Sequence, residues 1–290
     1  GGPTLDGIAA ITAYLGEDLL AEAGPIRFQN GEEFTAVNFI DKLQNIIAQD
    51  RLENRKTPKK IITMLYPAVV AKARELTQSN PKAALAVLVN ALQTKDIQLW
   101  SRDEKTQAAL RRLNATGELK EAEGDYLAVI SSNVGGGKTD GVVKQTIRHR
   151  AQITRDGTVR ETVTISRTHA GGRGDRNTSY LRVYVPEGAR FISASGWSVP
   201  PPHLFEEVPS SLEPDQDVRN EELRTWRDLA SGTQIWNEGR KTVFGNWLLV
   251  KPGETAQGEL TYEIQLPSLR KAIPYALTIE EQAGARAELE

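Results

Sequence analysis

Residues 155–165 read RDGTVRETVTI, and the fold of the second half of the chain turns on them. Asp156-Gly157 is a hairpin signal, because a tight turn needs positive φ and glycine adopts it without steric cost. Beyond the turn, Val159, Val163 and Ile165 face one way and Arg160, Thr162 and Thr164 the other, which is the period of a half-buried strand. The same alternation sets Leu181, Val183 and Val185 against Tyr180, Arg182 and Tyr184. It also sets Leu260, Tyr262, Ile264 and Leu266 against Thr261, Glu263 and Gln265. Turn chemistry sits at Pro186-Glu187-Gly188 and Pro252-Gly253. Residues 142–290 are therefore expected to form an all-β immunoglobulin-like sandwich, with 275–280 and 286–289 as a last hairpin around Gly284.

An insert interrupts this pattern at 198–240. It opens on Pro200-Pro201-Pro202, and residues 206–222 hold seven acids and one Arg, a net of −6. A loop of that length inside a compact domain is usually functional or disordered. Trp226, Ile235 and Trp236 are expected to pin its far end to the body. Asp215-x-Asp217 has the start of a calcium loop, but Arg219 occupies the third ligand position and no glycine follows, which argues against an EF-hand and leaves a looser Ca²⁺ site open.

Working towards the N-terminus, the apolar period becomes helical. Phe34, Val37, Ile40, Leu43 and Ile47 form one stripe, with Thr35 as the expected N-cap. Thr57-Pro58 and Asn80-Pro81 each pair a capping residue with Pro at the first helical position. The first leads into Ile61, Ile62, Leu65 and Val69, with a kink expected at Pro67. The second leads into Leu85, Leu88, Val89 and Leu92. Another helix is expected over 102–116, ended by Gly117. Short strands are expected at 26–28, 96–100 and 125–132. Helices alternating with strands give residues 1–141 an α/β domain, a mixed sheet with helices. The chain begins Gly1-Gly2-Pro3 with no Met, which reads as an excised or processed fragment.

Composition narrows the chemistry. The 290 residues carry 36 Lys+Arg against 38 Asp+Glu, so the basic excess of a nucleic-acid binder is missing. Cysteine is absent, which removes disulfides, thiolate catalysis and Cys-zinc sites. No apolar run is long enough for a transmembrane helix, and no signal peptide is visible. The three histidines are scattered. His149 lies between Arg148 and Arg150 on a strand, where a surface position is expected; His169 is near a loop end, and His203 follows the prolines. No H-x-x-x-H or G-x-S-x-G pattern occurs, so neither a His-based zinc site nor a serine-hydrolase elbow is supported. No cofactor and no metal is expected.

Two stretches suit an anion. Residues 51–60, RLENRKTPKK, hold five bases and one acid, and Arg51, Arg55 and Lys56 within them are phosphate-binding candidates, beside the reading of a solvated helix start. Gly135, Gly136, Gly137 and Lys138 lie in a Gly-rich stretch after a strand. Ser132 stands where a P-loop needs its first glycine, and the following residues look like strand, so this reads as a connection whose backbone N–H groups can face an anion.

Several phrases carry a resemblance by their order. They are Leu5-Asp6-Gly7-Ile8, Ala23-Gly24-Pro25-Ile26, Phe34-Thr35-Ala36-Val37-Asn38, Asp125-Tyr126-Leu127 and Asn133 to Asp140. Tyr180 to Gly188, Gly239 to Phe244, Tyr275-Ala276-Leu277 and Gln282-Ala283-Gly284 follow. Together they resemble the bacterial surface-protein family called domain of unknown function 4012. That resemblance implies an extracytoplasmic body attached to the membrane by an N-terminal helix upstream of this segment, with residues 1–141 as the later part of a larger domain. A more distant similarity is to the LytR-CpsA-Psr proteins, which attach glycopolymers to cell wall. It sets Asp6, Gly24, Arg51 and Arg55 in a comparable order and implies a polyprenyl-pyrophosphate substrate with Mg²⁺. The Arg-Gln pair of that family is missing, since Lys56 follows Arg55, and its metal-binding aspartates would lie upstream.

The residues name no reaction. The leading expectation is an extracytoplasmic cell-envelope protein, a non-catalytic surface-binding or spacer module with a cell-wall or surface glycopolymer as its partner. The alternative is a LytR-CpsA-Psr-like phosphotransferase. A third class is a carbohydrate-binding module using Trp197, Trp226 or Trp236.

Overall fold

A computed structural model of the chain describes residues 4–53, 60–134, 139–171, 175–206, 209, 211–213, 215–266 and 274–290, with the backbone alone at 51 and 52. The whole is mixed α and β and rich in strand. It divides into two compact units, residues 1–118 and 119–290. The period change at 141 lies inside the second unit. No helix among the described residues is long and apolar enough to cross a membrane.

The first unit runs β1 (Gly7–Ile11), α1 (Tyr14–Ala23), β2 (Ile26–Arg27), β3 (Glu33–Phe34), α2 (Phe39–Leu52), α3 (Lys60–Ser79), α4 (Pro81–Gln93), β4 (Ile97–Ser101) and α5 (Glu104–Arg112). The helical stripes converge on a core of Leu20, Ile26, Phe34, Phe39, Ile47, Ile61 and Leu65. Phe28, Phe34 and Phe39 meet edge to face, with ring centroids 6.0 and 5.9 Å apart. Gly16 lets α1 approach this stack, since a Cβ there would fall within the Phe39 ring. The Asn80 side chain accepts from Ala83 N at 3.2 Å, and Asp103 caps α5 by accepting from Thr106 N at 2.7 Å.

Three expectations change here. In place of a mixed sheet there are two separate antiparallel pairs, β1–β4 and β2–β3. Thr35 and Asn38 exchange side-chain-to-backbone hydrogen bonds, so α2 starts only at Phe39. Helix α5 stops before Gly117, because Asn114 takes the left-handed conformation at φ 55°.

The second unit holds β5 (Asp125–Asn133), β6 (Val143–Ile153), β7 (Thr158–His169), β8 (Asn177–Pro186), β9 (Arg190–Ser195), α6 (Gln216–Leu223), β10 (Trp226–Arg227), β11 (Gln234–Glu238), β12 (Lys241–Val250), β13 (Thr255–Gln265), β14 (Leu277–Glu280) and β15 (Glu288–Leu289). One sheet has the order β10-β11-β12-β8-β5-β14 and the other β15-β6-β7-β13-β9. The alternating residues behave as their period requires. Leu181, Val183 and Val185 of β8 join Val159, Val163 and Ile165 of β7 and Leu260, Tyr262 and Ile264 of β13 in one buried cluster supplied by both sheets. The 155–158 turn connects β6 to β7 in antiparallel register, with Ile153 opposite Val159.

Strand β5 reads as a buried apolar run, which does not reveal its neighbour. It pairs with β8, so it belongs to the second unit and not to the first. The final residues form no hairpin: β14 pairs parallel to β5, and β15 pairs parallel to β6. The Gln282 side chain continues that edge, accepting from Ser131 N at 2.7 Å and donating to Ser131 O at 3.0 Å. The 198–240 insert contains secondary structure too, because α6, β10 and β11 lie within it and β11 pairs fully with β12.

Candidate functional site

The outward row of the six-stranded sheet builds a groove of about 760 Å³. Since Leu181 and Val183 point into the core, Tyr180 and Arg182 point out of it. Trp247 of β12 and Gln234, Trp236 and Glu238 of β11 extend the same face, and Asp217, Glu221 and Glu222 of α6 form an acidic wall. The Tyr180 and Trp247 rings lie 5.0 Å apart, and Phe205 meets Trp247 edge-on at 5.7 Å. Tyr180 donates to Gln234 Oε1 at 2.6 Å, and Trp236 Nε1 donates to Glu238 Oε2 at 3.0 Å. Burial pushes the Tyr180 phenol up to about 12, so it stays a neutral donor. Gly245 makes this packing possible: a Cβ there would collide with the Tyr180 hydroxyl and lie 2.8 Å from the Trp236 ring. Flat aromatic faces, amide and carboxylate acceptors and one guanidinium suit a neutral or weakly cationic ligand rich in hydroxyls.

A second arrangement lies on the inward row of β7. Its buried residues are Val159, Glu161, Val163, Ile165, Arg167 and His169, apolar at the centre and ionisable towards the ends. At one end, Tyr262 stands opposite Glu161 across the β7–β13 ladder and donates to Glu161 Oε2 at 2.6 Å. His149 Nε2 is 2.8 Å from the same oxygen. Asp125, in phase with Leu127 and Val129 of β5, accepts from Tyr126 N at 2.7 Å and from the Tyr275 hydroxyl at 2.5 Å. Asp125, His149 and Glu161 offer ligand atoms that all lie within 4.8 Å of one another. Burial, and then the adjacent Glu161, push the Asp125 carboxyl up to about 7, because two carboxylates in one dry place cannot both ionise cheaply. Burial also raises the Tyr262 phenol, so it donates and does not ionise.

At the other end Arg167 is 3% exposed. It donates to Ser131 Oγ, to Gln145 Oε1 at 3.2 Å and to Asp140 Oδ1 at 3.1 Å. Asn177 Nδ2 also donates to Asp140, at 2.9 Å. This network joins β5 and the start of β6, the two flanks of the Gly-rich stretch. His169 is structural: its Nδ1 accepts from Gly171 N at 3.1 Å and its Nε2 lies 3.1 Å from Asp175 O.

The sequence candidates meet different fates. Gly135, Gly136, Gly137, Lys138, Arg55 and Lys56 lie outside the described residues, as does the Arg51 side chain, whose backbone is in the last turn of α2. Asp215 is the N-cap of α6, accepting from Asp217 N at 2.9 Å and Val218 N at 3.2 Å. Of the three tryptophans, Trp197 packs against the core and donates to Glu259 O at 2.9 Å, Trp226 is exposed beside Phe191, and Trp236 lines the groove. His149 is not a surface residue: it is in phase with Ile147, while Arg148 and Arg150 take the outer face. Glu161 and Arg167 escaped the sequence reading, although each shares the parity of Val159, Val163 and Ile165, and that coincidence was the available signal. No family model, no curated protein and no solved structure matches the chain.

Proposed function

We propose that this chain is a non-catalytic binding module of the bacterial cell envelope, and that the groove over the six-stranded sheet holds a segment of glycopolymer. The observation that carries this reading is the aromatic floor of Tyr180, Trp236 and Trp247 beneath an acidic wall. Stacked rings gain contact area at small entropic cost, and the surrounding carboxylates and amide accept from ligand hydroxyls. The extracytoplasmic placement and the membrane anchor rest on the resemblance to the surface-protein family. We also infer that the two sheets form an immunoglobulin-like sandwich, in the sense of two mainly antiparallel sheets around one core. Its strand order, with β6, β7, β13 and β9 together, is its own. The phosphotransferase alternative depends on Arg51, Arg55 and Lys56, whose side chains lie outside the description.

Calorimetric titration with soluble cell-wall glycan fragments tests the proposal. Trp247→Ala is expected to weaken binding at least tenfold and the exposed Trp226→Ala to change it less than twofold. Saturable binding that Trp247→Ala leaves intact, or no binding of any fragment, refutes the groove.

A further inference from the structure

We propose that Asp125, His149 and Glu161 form a divalent transition-metal site, with Zn²⁺ the favoured ion, that ties β5 to β6 and β7. Three observations converge on it. The donor set is one imidazole and two carboxylates, with every ligand atom within 4.8 Å of the others. Tetrahedral zinc holds its N and O ligands at about 2.0–2.2 Å, hence about 3.3–3.6 Å from one another, so the widest gaps would close by about an ångström and His149 Nε2, now 2.8 Å from Glu161 Oε2, would exchange that contact for the ion. The second observation is an orphan: Glu161 is 0% exposed and its Oε1 has no hydrogen-bond partner among the described residues. A buried carboxylate oxygen with nothing bound to it is costly, and a cation at the centre of the trio satisfies it.

The third is charge. Asp125 and Glu161 are both fully buried, and no Lys or Arg of the described residues forms an ion pair with either. A divalent ion would let both carboxylates carry their charge in this dry place, the two negative charges balanced by its two positive ones. The surroundings already orient the ligands. Tyr262 and Tyr275 each donate to one carboxylate, the outer-shell support that a metal site requires. The imidazole argues against Ca²⁺ and Mg²⁺, which prefer all-oxygen sets. The His149 side chain is 11% exposed, which gives the ion a way in.

The test uses the whole chain, stripped with a chelator, and Zn²⁺, Mn²⁺, Ca²⁺ and Mg²⁺ titrated separately by calorimetry. One equivalent of Zn²⁺ should bind and raise the thermal midpoint. His149→Ala, at the edge of the cluster, should lower Zn²⁺ affinity at least a hundredfold with its circular dichroism unchanged. Should that variant fail to fold, wild-type protein loaded with Co²⁺ decides alone: an intense visible d–d absorption supports the site, and the weak spectrum of hydrated Co²⁺ overturns it. Absence of stoichiometric Zn²⁺ binding, binding that Mg²⁺ or Ca²⁺ matches, or affinity unchanged in His149→Ala also overturns it.

Discussion

Replacing Arg167 by Met tests whether the polar end of β7 contributes to stability or is merely tolerated. Met keeps most of the stem volume, so the cavity contribution is small. Three hydrogen bonds are lost, to Ser131, Gln145 and Asp140. The two neutral acceptors count for about 1 kcal/mol each. The ion pair counts for less than a deeply buried one, because the Asp140 side chain is 56% exposed and its charge is screened, leaving about 0–1 kcal/mol. Against these stands the relief of desolvation, since burial is the leading influence on the guanidinium and disfavours its charge. The balance is a net loss of about 1–2 kcal/mol. Four of the five tryptophans, at 197, 226, 236 and 247, lie in the second unit, so indole fluorescence during urea denaturation reports chiefly on it. With m near about 2 kcal/mol/M the midpoint should fall by about 0.5–1 M. Asp140→Asn should shift it by less than half as much. A midpoint unchanged or raised in Arg167→Met would refute the reasoning and class the guanidinium with buried ionic groups that apolar side chains replace without loss.

Gly245→Ala should fold but lose glycan affinity at least fivefold in the same calorimetric assay, because the added methyl displaces the Tyr180 hydroxyl from Gln234. Unchanged affinity would mean that this floor is not the contact surface. The pH dependence of the first unit should carry a contribution from Asp103. Hydrogen bonds from Thr106 hold its carboxyl below the usual carboxylate range. Its capping contribution is therefore fully present above the unfolded value of about 3.8 and is lost as the pH falls through the depressed folded value. Asp103→Ala should flatten that acid limb in thermal melts followed at 222 nm, and an unchanged limb would exclude the cap as its source.

Sequence periodicity reached the β7, β8 and β13 strands because each has one wet face, and parity then decides which residues are inside. It reached the helix starts at Asn80 and Asp103 less evenly: Asn80-Pro81 is a local signal, whereas the start of α5 depends on which of several polar residues caps it. It misplaced β5, because DYLAVISS is apolar on both faces and such a run does not specify its neighbour. The groove was half legible. The outward row of Tyr180 and Arg182 follows from alternation, but Trp236 and Trp247 join it only through the β11–β12–β8 register, which is a long-range fact. Glu161 and Arg167 were legible as breaks in an apolar parity, and what hid them was the habit of assigning charge to the surface.

The parallel strands β14 and β15 have a consequence for solubility. One short segment places a strand on β5 in one sheet and another on β6 in the other, so a single stretch of chain covers part of both edges with short strands, which are themselves poor templates. On the opposite margins stand the two-residue β10 and the bulged β9–β13 pairing, both poor templates for a stranger's backbone. Detaching the last stretch would uncover both edges at once and also take Tyr275, Leu277 and Ala287 away from the core, so chains adding to one another edge to edge would accompany a loosening of the sandwich.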